Sequence, residues 1–143
     1  MNISLSDKDI LNMLDRKCNL LTYTELANYD NLNDALGEYK TLVILYMTKN
    51  NYGHWCCLFL RDDNILEFFD SYGIFIDDEL EFIPDNYRIV SNQSYPHLTY
   101  LIYNSQYKNV EYNQYKLQKM TPEINTCGRW VVVRIMLKRL SLD

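Results

Sequence analysis

The feature that most constrains this chain lies between residues 41 and 69. Three short runs rich in β-branched and aromatic residues, TLVILYMT, HWCCLFL and ILEFF, follow one another with only short, mostly polar connections between them. Runs of this length and composition have the character of buried strands. The spacing predicts a strand over Thr41–Thr48 that ends in the polar turn Lys49-Asn50-Asn51. A hairpin of His54–Leu60 and Ile65–Phe69 should follow, joined by the four-residue connection Arg61-Asp62-Asp63-Asn64. Three such strands in series make one sheet, and the apolar surface of that sheet has to be covered by helices from the rest of the chain.

The flanking sequence offers them. Ser6 and Asp9 resemble a capping box, and Ile10, Leu11 and Leu14 recur at helical spacing up to about Lys17. Thr24–Tyr29 suits a short helix, whereas Asn31-Leu32-Asn33-Asp34 with Gly37 reads as a connecting loop. A short helix should start near Asp77-Asp78-Glu79-Leu80, and another should run from Pro96 to Asn104 with the proline in its first turn. Tyr112–Leu117 alternates weakly, as an edge strand would. Cys127–Leu140 contains Trp130-Val131-Val132-Val133, which favours a strand locally. Its length, the continuing Met136, Leu137 and Leu140, and Lys138 and Arg139 at its end favour a mostly buried helix instead. Asn125 or Thr126 would cap that helix after the turn at Pro122. With 143 residues and no repeat or linker, the expectation is a single α+β domain (residues 1–143), a mostly antiparallel sheet packed against the C-terminal helix.

Composition removes several function classes. The longest clean apolar stretch, Leu42–Met47, has six residues, far short of the roughly 20 that a membrane helix needs. The start, Met1-Asn2-Ile3-Ser4, lacks a secretory pattern. A net charge of -5 gives no general attraction to nucleic acid, so neither nucleic acid nor a membrane is expected as a partner. The four cysteines, Cys18, Cys56, Cys57 and Cys127, form no C-x-x-C pair and have no histidine at ligand spacing, which argues against structural zinc and for reduced thiols in a cytosolic compartment.

Chemistry concentrates on three residues. A thiol at a helix N-terminus, as Cys127 would be, faces unpaired backbone N–H groups that stabilise thiolate. The ordinary fate of a lone cysteine is a buried, inert side chain, so its company decides. His54 opens one strand of the hairpin and Asp70 follows the end of the next, which makes them neighbours. A carboxylate there holds the imidazole tautomer and stabilises the imidazolium. Other residues read as structural. Ser71 is a turn residue without a nucleophile elbow, and His97, beside Pro96, is a solvent-facing turn histidine. Arg129 and Arg134, on an apolar helix, each satisfy a carboxylate or a backbone carbonyl. Asp62, Asp63, Asp77, Asp78 and Glu79 lack the pattern of a calcium loop and read as solvated.

The order of GHW at 53–55, FFDSYG at 68–73, Leu117-Gln118 and NTCGRW at 125–130 resembles the adenain-like and SUMO-protease-like cysteine peptidases. The match spans residues 53–140. The combination of DSYG with TCGRW looks most like the small capsid-maturation proteases of virophages, polinton-like elements and large DNA viruses. The resemblance implies Cys127 as nucleophile, His54 as general base and then acid, Asp70 as the orienting carboxylate, and Gln118 as an oxyanion donor beside the backbone N–H of Cys127. It also implies that Trp55 packs over the imidazole and that no cofactor is needed. The implied substrates are capsid or scaffold precursors, cut in the host cytoplasm or viral factory, with packaging of the enzyme in the virion and an activating peptide left open. The stretch between Gln118 and Cys127 is longer than in cellular members, which leaves Gln114 as a competing donor and Gln106 as a remote one. The rivals are a deubiquitinase or SUMO-specific protease, an acetyltransferase using the same triad, and an inactive protease-shaped binding module.

Overall fold

A computed structural model of the chain describes residues 7–49, 52–61, 63–71, 73–112 and 127–137. Its centre is a five-stranded sheet in sequence order, β1 (Asn19–Thr22), β2 (Thr41–Lys49), β3 (Tyr52–Leu60), β4 (Leu66–Phe69) and β5 (Val110–Tyr112). The helices are α1 (Asp7–Met13), α2 (Leu32–Leu36), α3 (Asp85–Val90), α4 (His97–Tyr103) and α5 (Cys127–Met136), with 3₁₀ turns at Tyr23–Asn28 and Asp78–Phe82.

Strand alternation sorts the core into two layers. Leu42, Ile44, Tyr46, Cys56, Leu58, Leu66 and Phe68 face one way and pack against α2, α4 and the two 3₁₀ turns. Val43, Trp55, Cys57, Phe59 and Phe69 face the other way and meet Ile10 and Leu14 from the α1 side and Val131, Val132 and Ile135 of α5. Burial on both faces is why these strands read as continuous apolar runs instead of alternating ones.

The centre of the sheet is antiparallel as expected, β2 with β3 and β3 with β4. Both outer pairs, β1 with β2 and β4 with β5, are parallel. The expectation of a mostly antiparallel sheet therefore holds only for the centre. Parallel partners need a crossover, and the first is built from the stretch read as a loop. There, Asn31 caps α2 by accepting a hydrogen bond from the Asp34 amide at 2.9 Å, and Gly37 ends the helix in the left-handed region at φ 75°. The polar residues that suggested a loop are its cap and outer face, whereas Leu32, Ala35 and Leu36 are buried. The second crossover uses α3, which was not anticipated, and α4. The first helix stops at Met13, short of Lys17, because Asp15 and Arg16 take left-handed backbone at φ 53° and 58°. β5 lies at Val110–Tyr112, and residues 113–117 of the expected edge strand lie outside the described residues.

One end of β2–β3 is held unusually tightly. The register shifts by a residue between Met47 and Lys49, and Gly53 pairs with Met47. A Cβ on Gly53 would overlap the carbonyl oxygen of Tyr46, so only glycine admits this approach. On the outer side β1 ends at Thr22, opposite Leu45, and a buried glutamine replaces the missing strand. Gln93 Nε2 donates to the Met47 carbonyl at 2.7 Å and its Oε1 accepts from the Met47 amide at 3.0 Å. Gly53→Ala is therefore expected to cost about 3 kcal/mol in urea denaturation, the upper end of overpacking penalties; a cost below about 1 kcal/mol would contradict the close approach.

Candidate active site

The tightly held end of the sheet carries the first two candidate residues. His54 follows Gly53 in β3, and Asp70 follows the last residue of β4. Continuing the register from Cys57 opposite Phe69 makes Asp70 a diagonal neighbour of His54 on one face of the sheet. His54 Nε2 and Asp70 Oδ1 are 2.8 Å apart, and the residues are 3% and 1% exposed. A carboxylate accepts, so the neutral imidazole carries its proton on Nε2, and Nδ1 becomes the nitrogen able to take a proton from a substrate or a thiol. Beyond Asp70 the chain turns back through a hydrogen bond from the Gly73 amide to the Asp70 carbonyl at 2.9 Å, with Gly73 at φ 72°. Ser71 sits in this turn, as expected of it, and is buried.

Cys127 is the first residue of α5. The direction of that helix follows from its other end. Arg134 bonds Glu67 and lies over the ring of Phe59, its guanidinium carbon 5.5 Å from the centroid, and Phe59 and Glu67 are register partners. Ile135 and Met136 share a surface groove with Tyr39, two residues before β2 begins opposite Phe59. The C-terminal end of α5 is thus over the Thr41–Phe59 end of the sheet, and its N-terminus points toward the end that carries His54 and Asp70. Trp55 departs from expectation. Alternation sends it to the face opposite His54, where it packs in the cluster beneath α5. Alternation thus puts the His54 side chain on the face opposite α5, and the side chain of Cys127 lies outside what the structure describes.

Further residues sort around this pair. Asp77, read as solvated, is only 9% exposed. Its Oδ1 accepts from the hydroxyls of Tyr23 at 2.7 Å and Tyr46 at 2.8 Å, and its Oδ2 accepts from the amide and hydroxyl of Thr99 at 2.8 and 2.6 Å. Tyr46 is the cross-strand partner of His54, so this network buttresses the wall of the site. A count of acidic residues in a turn cannot reveal it, because the donors are brought in from β2, α4 and the 3₁₀ turn. His97, expected to face solvent, is half-buried, its ring centroid 5.1 Å from that of Tyr95 and 5.9 Å from that of Tyr23. Gln106 is exposed, its side chain accepting from Asn33 at 3.3 Å. Gln118 and Gln114 lie outside the described residues. Asp63 and Asp78 are exposed as read, with Asp63 on Arg61. Among the described residues no group of three or more His, Cys, Asp or Glu side chains is arranged to hold a metal ion, and no helix is long and apolar enough to cross a membrane.

Burial sets the state of two other thiols. Burial pushes Cys57 well above its ordinary value of 9.0, helped by the nearby Glu67, and burial raises Cys18. Burial likewise raises the phenols of Tyr23 and Tyr46 above their ordinary 10.0, with Asp77 adding to the shift in both. These groups stay protonated in the fold after they would ionise in the unfolded chain. Their contribution to stability is therefore complete below the unfolded values and is lost as pH rises toward the folded ones. The urea midpoint should fall as pH climbs past 9.0 and then 10.0, and Cys57→Ala should flatten the first part of the decline. A flat profile across both values would contradict the burial of these groups.

No family model matches the chain. It is 48% identical over 140 residues to "Uncharacterized protein V9" of Sputnik virophage, a match that covers 98% of this chain and 79% of that protein. Identity at this level along nearly the whole chain makes the protein a member of the same family as the virophage V9 protein.

Proposed function

We propose that this protein is a cysteine endopeptidase that cleaves viral capsid or scaffold precursors. The observation that carries this reading is the buried His54–Asp70 pair, at the end of the sheet toward which α5 opens with Cys127. His54 Nδ1 takes the Cys127 proton, and Asp70 stabilises the imidazolium through Nε2. The thiolate attacks the scissile carbonyl, and the oxyanion accepts hydrogen bonds from the Cys127 amide and the Gln118 side chain. Collapse of that intermediate breaks the peptide C–N bond, His54 protonates the departing amine, and an acyl-thioester remains on Cys127. His54 then removes a proton from water as it attacks the thioester, which releases the acid and returns the thiol. A virophage relative supports a viral protein substrate and action in the host cytoplasm or viral factory.

The test is incubation with the capsid and scaffold proteins encoded by the same genetic element, with fragments mapped by mass spectrometry. Cys127→Ala should leave the fold intact and abolish cleavage, whereas Cys56→Ala and Cys57→Ala should retain it. His54→Ala should be more damaging than Asp70→Asn, which keeps a hydrogen-bond partner for the ring. Wild-type activity in either Cys127→Ala or His54→Ala would overturn the reading. Cleavage of ubiquitin or SUMO probes in place of capsid proteins, or transfer from acetyl-CoA, would redirect it to a different reaction of the same triad.

The oxyanion donor has its own test. A side-chain amide donates without competing for the proton that His54 handles. Gln118→Ala should lower kcat by about 100 to 1,000-fold with KM and thermal midpoint nearly unchanged. Gln114→Ala should be nearly silent, and the reverse result would exchange the two roles.

A further inference from the structure

We propose that the buried Arg134–Glu67 pair is a positioning lock. It sets where α5 sits along the sheet and thereby where Cys127 stands relative to His54; this rests on Cys127 being the nucleophile. Arg134 Nε donates to Glu67 Oε2 at 2.5 Å and Nη2 donates to Oε1 at 2.7 Å, a bidentate fork, while Nη1 donates to the Leu137 carbonyl at 2.9 Å. Glu67 is fully buried in the middle of β4, and Arg61 Nη1 lies 3.6 Å from its Oε1. Arg61 is held in turn by Asp63 and by Glu111 of β5. Both ends of the fork are therefore anchored, one in the helix and one in the sheet.

Among the described residues the rest of the α5 interface is apolar, with Val131, Val132 and Ile135 against Val43, Cys57, Phe59 and Phe69. Apolar burial is non-directional, so such a face leaves sliding and rotation of the helix weakly opposed. A planar fork on a fixed carboxylate opposes both. Stability alone is a poor reason for the pair, because well-packed apolar replacements of a buried ion pair are often neutral or stabilising. Specification of register is the better-attested use. Positions 127 and 134 are nearly two helical turns apart, on the same face of α5 and separated by about 10 Å along its axis. A displacement at Arg134 is thus transmitted to Cys127, and a misplacement of about 1 Å can cost about 100-fold in rate.

The experiment measures alkylation of Cys127 by iodoacetamide, mapped by mass spectrometry, at about pH 6, where an ordinary thiol reacts slowly. Wild-type protein should label fast there and His54→Ala slowly. Equal, slow labelling of those two would remove the cysteine-protease reading and the lock with it. If the two differ, Glu67→Met/Arg134→Met decides the lock. It should fold with an unchanged or higher thermal midpoint, yet label Cys127 about 100-fold more slowly. Arg134→Lys, which keeps the charge and loses the fork, should label at an intermediate rate with its midpoint retained. Folded Glu67→Met/Arg134→Met protein that labels within about two-fold of wild type would overturn the lock and leave the protease reading standing. Should the double variant not fold, Arg134→Lys decides on the same criterion.

Discussion

Both faces of the β2–β3–β4 sheet are buried, so each buried polar side chain on these strands must find its partner inside the protein. This one constraint organises the rest of the molecule. Glu67 on β4 has Arg134 of α5, and the pairing ties the C-terminal helix to the sheet. Tyr46 on β2 has Asp77, which also gathers Tyr23 and Thr99 and so joins the opposite layer to the same strand. The backbone of Met47, beyond the end of β1 on its outer side, has the amide of Gln93. His54 on β3 has Asp70. Each bond answers a local desolvation cost, and together they fix the elements that surround one end of the sheet.

That end is where the chemistry would take place. Gly53 lets β2 close on β3 immediately before His54, and the turn from Asp70 to Gly73 sets the carboxylate immediately after β4. The imidazole is therefore oriented by backbone geometry on both sides, which is the preorganisation that the proposed general base needs. α5 approaches from the other face of the sheet and reaches this end with its N-terminus, where the helix dipole favours a thiolate. In the proposed mechanism the base and its orienting carboxylate stand on the sheet and the nucleophile on a separate helix, so each would be positioned by its own packing.

What was legible in the sequence was local. The hairpin, the neighbouring His54 and Asp70, and the C-terminal helix follow from runs and turns that lie within a few residues of one another. Arg134 on an apolar helix face could be read as needing a carboxylate, although nothing local named Glu67. The parallel edge strands were hidden because their partners are separated by whole crossovers, and β1 has only the four residues NLLT to announce itself. Asp77 looked solvated because its neighbours in sequence are acidic, whereas its donors come from three distant elements. Trp55 followed the alternation of β3 to the α5 face and not the packing over the imidazole that the family resemblance implied.

The proposed protease mechanism depends on coupling between His54 and Cys127, and NMR titration of isotope-labelled histidine tests for it directly. The chain has two histidines, so His97 serves as the reference within the same sample. If the thiol and imidazole share a proton, the titration of His54 in wild-type protein should belong to the coupled pair, and Cys127→Ala should shift it while leaving His97 unchanged. Superimposable His54 titrations in wild-type and Cys127→Ala protein would contradict a thiolate–imidazolium pair at this site.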